Sequence, residues 1–371
     1  MKIIVIDTYY QNFLEYFRKS NSKYKEYSYD TYKTKLLGAC FGTSDFYSYN
    51  LNKNGLKAED IVANDEILQK RWAKENNIEI TDNWLVSKLQ SLPYMYRFLG
   101  KPNWIQDIAF AQIKKYKPDV IYMQDLSILN PKTLKKVKKY CRLLVGQIAS
   151  PPPPEEYLKC FDLIITSFPH FAEKFKKMEI KSEYQKLAFE SRVLEKIGKQ
   201  KRIYDVTFIG SFSPHHQKGT KILEKLAKKI PIHIWGQGME FLSPMSPLRK
   251  NYHGEAWGLD MYKILAQSKI VINRHIGVAG NYANNMRLYE ATGMGAMLIT
   301  DDKINLNDLF EVGKEVIAYK DEEDLVKKVN YFLKNNKQRM NIAEKGQEKT
   351  LKEHSYVVRM KELSNILDKY L

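Results

Sequence analysis

The chain contains eight short, continuous apolar runs that alternate from end to end with segments of helical spacing. Most positions in each run are apolar and do not alternate strictly with polar ones, which is typical of strands covered on both faces in a parallel sheet. The runs lie at residues 3–6, 120–123, 143–148, 163–166, 206–209, 232–235, 270–273 and 297–300. This pattern predicts an α/β protein built from doubly wound parallel sheets.

The βα pattern begins twice, at residue 2 and again at Asp205, and this restart predicts two Rossmann-like domains. A length of 371 residues leaves room for two domains, each with its own core. We place the N-terminal domain at residues 1–190 and the C-terminal domain at residues 191–352. The last helix, residues 353–371, is expected to pack back on the first domain, with a cleft between the two domains.

The composition argues against several classes of protein. No run reaches the ~20 apolar residues of a membrane span, and the first residues form a strand rather than a signal peptide. The three cysteines, Cys40, Cys141 and Cys160, lack the spacing of a metal site, which favours free thiols in the cytoplasm.

The net charge of +17 comes mainly from lysine, which supplies 49 of the 60 basic residues. The lysines are spread along helices such as residues 133–140, as is typical of solvated helix faces. No zinc-finger or RNP-type signature accompanies the charge, so we expect no nucleic-acid partner. Peripheral contact with the anionic headgroups of a membrane remains open.

The segment from residue 268 to residue 300 has the most informative order of elements. A buried strand and a polar loop precede a helix that begins at Asn284 and Asn285, and a second strand follows at once. Such a unit places free backbone N–H groups and a helix dipole at the carboxyl edge of a sheet, where phosphate groups bind. The candidate binding residues of this segment are Arg274, His275, Asn284, Asn285, Arg287 and Glu290.

Each of these residues also has a structural interpretation. An Asn at a helix start is a common N-cap. Arg287 and Glu290 are three positions apart and could form a surface ion pair. His275 could be a buried, hydrogen-bonded histidine. Glu290 lies a little over one turn into the helix, where its carboxylate could reach sugar hydroxyls beside a phosphate.

Two glycine-containing turns follow predicted strands of the second half. Gly210 and Ser211 could approach a diphosphate, with Lys218 supplying charge, although the segment lacks the dinucleotide fingerprint and the phosphate-loop motif. Gly236 lies in the turn after the next strand and could border a nucleotide base. Ordinary strand-to-helix turns are the alternative for both.

In the first half, Asp45 is the single acid of the polar and aromatic loop at residues 41–50. It could act as a general base facing an acceptor hydroxyl, or it could cap a turn or helix. Residues that should line the acceptor side with it are Ser44, Tyr47, Asp125 and Gln147. The apolar residues at positions 56, 61, 68 and 72 have the spacing of a helix.

No Asp-x-Asp triplet occurs in the chain. We therefore expect no metal cofactor, and we expect Lys, Arg, His and helix N-termini to neutralise a leaving group instead.

The chain resembles GT-B-fold glycosyltransferases of the CgeB-like, group 1 kind. The resemblance covers residues 41–72 and 146–150, is strongest at residues 262–301, and returns at residues 308–316 and 342–346. It implies hexosyltransferase-like transfer from a nucleotide diphosphate sugar in the second domain to a glycan or lipid-linked acceptor in the first. Such enzymes serve the synthesis of surface polysaccharides or glycoconjugates.

Related retaining enzymes frame the donor with two glutamates eight positions apart. Glu290 matches the second of them, but Tyr282 occupies the first position, so the resemblance leaves retention or inversion open. Two alternatives of the same fold also stay open: a nucleotide-sugar 2-epimerase and a non-catalytic subunit that binds a sugar nucleotide.

Overall fold

The computed structural model describes residues 1–81, 101–214 and 217–371, without the side chains of Gln217 and Lys218. The chain forms two compact units. Unit 1 comprises Met1–Gln185 together with Met360–Leu371, and unit 2 is Lys186–Arg359.

Unit 1 is built on a six-stranded sheet of order β2-β1-β3-β4-β5-β6, in which all the pairings are parallel. Its strands are β1 (Lys2–Asp7), β2 (Lys57–Val62), β3 (Val120–Met123), β4 (Leu143–Ile148), β5 (Leu163–Thr166) and β6 (Ser182–Tyr184). Its described helices are α1 (Gln11–Ser20), α2 (Tyr29–Gly38), α3 (Phe46–Lys53), α4 (Glu66–Glu75), α5 (Asn103–Tyr116), α6 (Pro131–Val137), α7 (Glu155–Leu158) and α8 (Pro169–Lys177).

Unit 2 is built on a five-stranded parallel sheet of order β11-β10-β9-β7-β8. Its strands are β7 (Tyr204–Ile209), β8 (His233–Trp235), β9 (Ser268–Ile272), β10 (Met297–Asp301) and β11 (Ile317–Tyr319). Its described helices are α9 (Arg192–Ile197), α10 (Gln217–Lys229), α11 (Gly258–Ala266), α12 (Met286–Gly293), α13 (Glu322–Lys334) and α14 (Asn336–Glu353).

The predicted α/β architecture is confirmed. All eight apolar runs lie in or next to strands, and β3 and β5 are buried at every position. Full burial on both faces explains why these two strands contain no charged residues.

The helical spacing predicted around residues 56–61 was wrong, because this segment forms β2. In this strand Lys57 and Glu59 are exposed while Ala58 and Asp60 are buried, so the run is not continuously apolar. Leu68 and Trp72 do lie on a helix, α4. The strands β6 and β11 were not predicted either, and each has only three residues at an edge of its sheet.

The last helix, α15 (Tyr356–Tyr370), begins in unit 2 and ends in unit 1. Leu363 and Leu367 are buried. The Lys369 ammonium and the Tyr370 hydroxyl both donate to Glu183 of β6, at 2.7 and 2.8 Å. These contacts join the C-terminal turns to the edge of the first sheet.

Candidate active site

The N-terminus of α12 lies at the carboxyl edge of the second sheet, and Asn285 fixes it there. The Oδ1 atom of Asn285 accepts from the Leu288 N–H at 3.3 Å, which makes Asn285 the N-cap. Its Nδ2 donates to Asn273 Oδ1 at 2.8 Å and to the Arg274 carbonyl at 3.2 Å. The amide of Asn285 is thus engaged by the protein, and its structural role is established. Asn284 is buried beside it.

Arg274 connects the loop after β9 to the loop after β7. Its Nη2 donates to the carbonyl of Ser211 at 3.0 Å, and its guanidinium lies 5.2 Å from the centre of the Phe208 ring. Burial lowers the pKa of Arg274 to about 10, so the group stays charged at neutral pH. A Cβ atom on Gly219 would lie 2.4 Å from Arg274 Cδ, so this glycine leaves the space that the arginine occupies.

The turns after β7 and β8 approach each other closely. The Gly210 N–H donates to the Trp235 carbonyl at 3.0 Å, and Gln237 Nε2 lies 3.3 Å from Ser211 Oγ. Gly236 has φ +141°, and a Cβ atom there would lie 2.0 Å from the Gly210 carbonyl oxygen. The approach of the two backbones therefore requires glycine at position 236. Lys218 belongs to α10, but its side chain lies outside the described residues.

His275 pairs with Asp301, which the sequence analysis did not identify. The Asp301 Oδ1 atom lies 2.6 Å from His275 Nδ1 and accepts from the His275 backbone N–H at 3.1 Å. Burial alone would raise the pKa of the Asp301 carboxyl, but His275 and the Lys303 ammonium hold it below its usual value. The only signal for Asp301 in the sequence is its position as the first charged residue after an apolar run.

Glu290 forms an ion pair with Arg287, which was the structural alternative for these two residues, but the pair is largely buried instead of lying on the surface. Arg287 Nη1 lies 2.8 Å from Glu290 Oε2, and the side chains are 14% and 8% exposed. Tyr262 of α11 also hydrogen-bonds the carboxylate. Burial raises the pKa of Glu290, while Arg287 and Tyr262 act in the opposite direction.

At the carboxyl edge of the first sheet, Asp7 forms a polar network that sequence reasoning missed. Its carboxylate accepts from the Thr8 N–H at 2.7 Å and from Thr43 Oγ1 at 3.0 Å. Thr43 Oγ1 also lies 2.8 Å from Gln124 Oε1. Burial raises the pKa of Asp7 to about 6.

Asp45 occupies the N-cap position of α3, with φ −95° and ψ 15°, but its side chain makes no capping hydrogen bond. Its charge helps to raise the pKa of buried Asp60 in β2, which reaches about 7 mainly through burial. Ser48 donates to one oxygen of Asp60, and the other oxygen has no hydrogen-bond partner among the described residues. Asp60 had not been predicted, because it follows Glu59 in a segment with no clear strand pattern.

The predicted acceptor-side residues have different environments. Ser44 is buried, with φ +45° and its hydroxyl donating to the Leu37 carbonyl, and Tyr47 is buried against Tyr122. Both side chains are therefore part of the core. Asp125 accepts from the N–H and hydroxyl of Ser127 at 2.9 and 2.8 Å, and Gln147 is half-buried in β4.

Across residues 1–81, 101–214 and 217–371, no group of three or more His, Cys, Asp and Glu side chains is arranged to hold a metal ion. Within the same ranges no helix has both the length and the apolarity needed to cross a membrane. Cys40, Cys141 and Cys160 are free thiols.

Residues 217–365 match the family model described as glycosyl transferase-like. No curated protein sequence matches the chain. Among solved structures, HepE from Anabaena in complex with UDP and glucose aligns over 100% of both chains, with 12% identity and a TM-score of 0.60.

Sucrose-phosphate synthase from Thermosynechococcus elongatus aligns over 100% of this chain and 98% of its own, with 11% identity and a TM-score of 0.61. A glycosyltransferase from Rickettsia africae aligns over 100% and 98%, with 12% identity and a TM-score of 0.58. At these identities the structural likeness establishes the fold alone, which is the GT-B fold of glycosyltransferases. The match to the glycosyl transferase-like family model covers residues 217–365 of the second unit.

Proposed function

We propose that the chain transfers a sugar from a nucleoside diphosphate sugar, bound by unit 2, to an acceptor hydroxyl bound by unit 1. The observation that carries the proposal is the convergence of three segments at one edge of the second sheet. The loop after β7 meets the loop after β9 through Arg274 and Ser211, and the loop after β9 meets the start of α12 through Asn273 and Asn285. In open α/β sheets, ligands bind at this edge.

The chemistry of these groups suits a diphosphate. A guanidinium can hold phosphate oxygens through two parallel hydrogen bonds, and a helix N-terminus adds N–H donors and a positive dipole end. Arg274 and α12 supply these two elements, with Lys218 as a further cation. Such groups stabilise a leaving diphosphate without a metal ion.

Glu290 is our candidate for the ribose. Arg287 and Tyr262 already bind its carboxylate. A carboxylate has about four acceptor positions, so it can also accept from a ribose hydroxyl. The family resemblance supports a role for this transfer in the synthesis of surface polysaccharides or glycoconjugates.

The test is to incubate the protein with a panel of nucleotide sugars in EDTA and to follow the slow hydrolysis of the donor. UDP-glucose comes first, because a solved structure of HepE contains it. Release of a nucleoside diphosphate is the expected result. An isomerised donor would identify an epimerase, and binding without turnover would identify a non-catalytic subunit. Activity that appears only after a divalent cation is added would refute the metal-free mechanism.

A further inference from the structure

An exposed aromatic ring stands at the carboxyl edge of the first sheet. Tyr10 lies between β1 and α1 and is 59% exposed. Its ring centre lies 5.6 Å from that of Phe41, which stacks on Phe13 at 4.0 Å. Tyr9, which is buried, contacts the edge of Phe41 at 5.3 Å. Tyr10 is therefore an exposed ring that packs on a cluster of aromatic side chains, Phe41, Phe13 and Tyr9.

Asp7, Asp45 and Asp125 lie near this edge of the first sheet. Asp7 ends β1, three residues before Tyr10, and Asp125 is close enough to raise the pKa of Asp7. Thr8 Oγ1 lies 3.3 Å from Asp125 Oδ2. The charge of Asp45 contributes to raising the pKa of Tyr9 and that of Asp60. In a chain of net charge +17, this edge thus carries acids.

An aromatic face beside carboxylates selects a particular kind of ligand. The C–H face of a pyranose packs well on the electron-rich face of an aromatic ring. Sugar hydroxyls donate charge-assisted hydrogen bonds to carboxylates. A phosphate or a sugar acid would instead meet charges of its own sign, which is unfavourable.

We propose that the acceptor group bound by unit 1 is an uncharged pyranose that packs on Tyr10 and donates its hydroxyls to the neighbouring aspartates. The inference rests on the proposed function and narrows the class of acceptor. Under this proposal, the sugar residue of the acceptor that receives the transferred group is neutral and not anionic.

The first experiment is saturation-transfer NMR on the full chain, without any nucleotide sugar. The probes are the methyl glycosides of glucose, galactose, mannose and N-acetylglucosamine, each titrated to obtain a dissociation constant. We expect at least one of them to bind, and we expect Tyr10→Ala to weaken that binding about tenfold, with Tyr10→Trp restoring it. The matched control is Tyr331→Ala on α13, because Tyr331 is 48% exposed in unit 2.

The second experiment compares methyl glucoside and galactoside with the corresponding methyl uronides, which carry a carboxylate. We expect the neutral member of each pair to bind better, and Asp45→Asn to reduce this preference. The proposal is overturned if none of the glycosides binds, if the uronides bind equally well, or if Tyr10→Ala behaves like Tyr331→Ala. These binding experiments contain no donor, so their outcome does not depend on donor turnover. A failure of donor turnover would therefore refute the proposed function without changing the measured affinities for the glycosides.

Discussion

His275 Nδ1 lies 2.6 Å from Asp301 Oδ1, and the other ring nitrogen, Nε2, is buried without a hydrogen-bond partner in the described part of the chain. A buried polar atom without a partner costs about 1–3 kcal/mol. The carboxylate fixes the orientation and the protonated nitrogen of the ring, as partners of functional histidines commonly do. We predict that the pair helps to bind the diphosphate of the donor.

Asp301→Asn tests this pair, because it keeps the shape of the side chain and removes its charge. We expect UDP to bind about tenfold more weakly, which corresponds to ~1.4 kcal/mol, as measured by isothermal titration calorimetry. Asp205→Asn is the control, because Asp205 pairs with Lys269 in an exposed salt bridge of the same unit. Equal UDP affinity in the wild type and in Asp301→Asn would show that the pair does not contribute to donor binding.

Glu290→Ala should raise the dissociation constant of the donor about tenfold or more, because a charge-assisted bond to a ribose hydroxyl contributes about 1.5–3 kcal/mol. The substitution also leaves the partly buried guanidinium of Arg287 without its ion-pair partner, so the melting temperature should fall. Glu290→Gln keeps an acceptor for Tyr262 and separates the loss of charge from the loss of packing. A folded Glu290→Ala protein with normal donor affinity would refute the assignment.

Asp45→Asn should lower the turnover number at least about a hundredfold if Asp45 is the general base, with donor affinity unchanged. The Asp45 side chain makes no capping hydrogen bond to α3, and Asn has nearly the same size as Asp, so the melting temperature should hardly change. Asp30→Asn on α2 serves as the control. Nearly full activity in Asp45→Asn, or transfer with retention at the anomeric carbon, would exclude Asp45 as the base.

Asp60→Asn should stabilise the protein at neutral pH. The pKa of Asp60 rises from 3.8 to about 7 on folding. Between these values the folded protein retains a proton that the unfolded chain releases, so the free energy of unfolding falls as pH rises. The advantage of Asp60→Asn over the wild type should therefore grow from pH ~4 to pH ~7, to at least ~1 kcal/mol.

Urea unfolding at a series of pH values measures this difference, again with Asp30→Asn as the exposed control. A stability difference that is constant across the pH range would show that Asp60 is ionised in the folded protein at acid pH.

Membrane contact stays a prediction, and α6 offers the means to test it. Lys132, Lys135 and Lys139 are exposed on or just after this helix. If they contact anionic headgroups, each contributes about 1 kcal/mol, and the interaction weakens with salt. Replacing all three by Gln should reduce co-sedimentation with phosphatidylserine vesicles at low salt.

The control for this experiment replaces Lys334, Lys337 and Lys345 of unit 2, which are also exposed. A wild-type protein that stays in the supernatant with anionic vesicles would show that the lysines only solvate the surface.

The hydrophobic pattern predicts most of the fold, because strands buried on both faces of a parallel sheet are apolar at most positions. It fails at β2, where Lys57 and Glu59 face solvent and Asp60 is buried. It also fails at β6 and β11, two edge strands of three residues that are too short to show a period. These strands form because a neighbouring strand supplies the hydrogen bonds, which no local pattern reveals.

Prediction of the candidate site was limited in the same way. The N-cap role of Asn285 follows from local sequence, but its bond to Asn273 depends on the distance between two chain segments. The pairing of His275 with Asp301 joins residues that are 26 positions apart. Ser44 and Tyr47 belong to the core because α3 packs close to the first sheet, which the polar appearance of residues 41–50 conceals.

The return of α15 to unit 1 has a consequence for the order in which the protein can assemble during synthesis. Unit 2 is one uninterrupted segment, Lys186–Arg359, whereas unit 1 needs residues from both ends of the chain. Unit 2 therefore contains all of its own residues without residues 360–371, whereas the edge strand β6 gains its bonds to Lys369 and Tyr370 only when the last turns of the chain are present. A nonsense mutation just after residue 359 would therefore leave unit 2 complete and would remove the C-terminal part of unit 1.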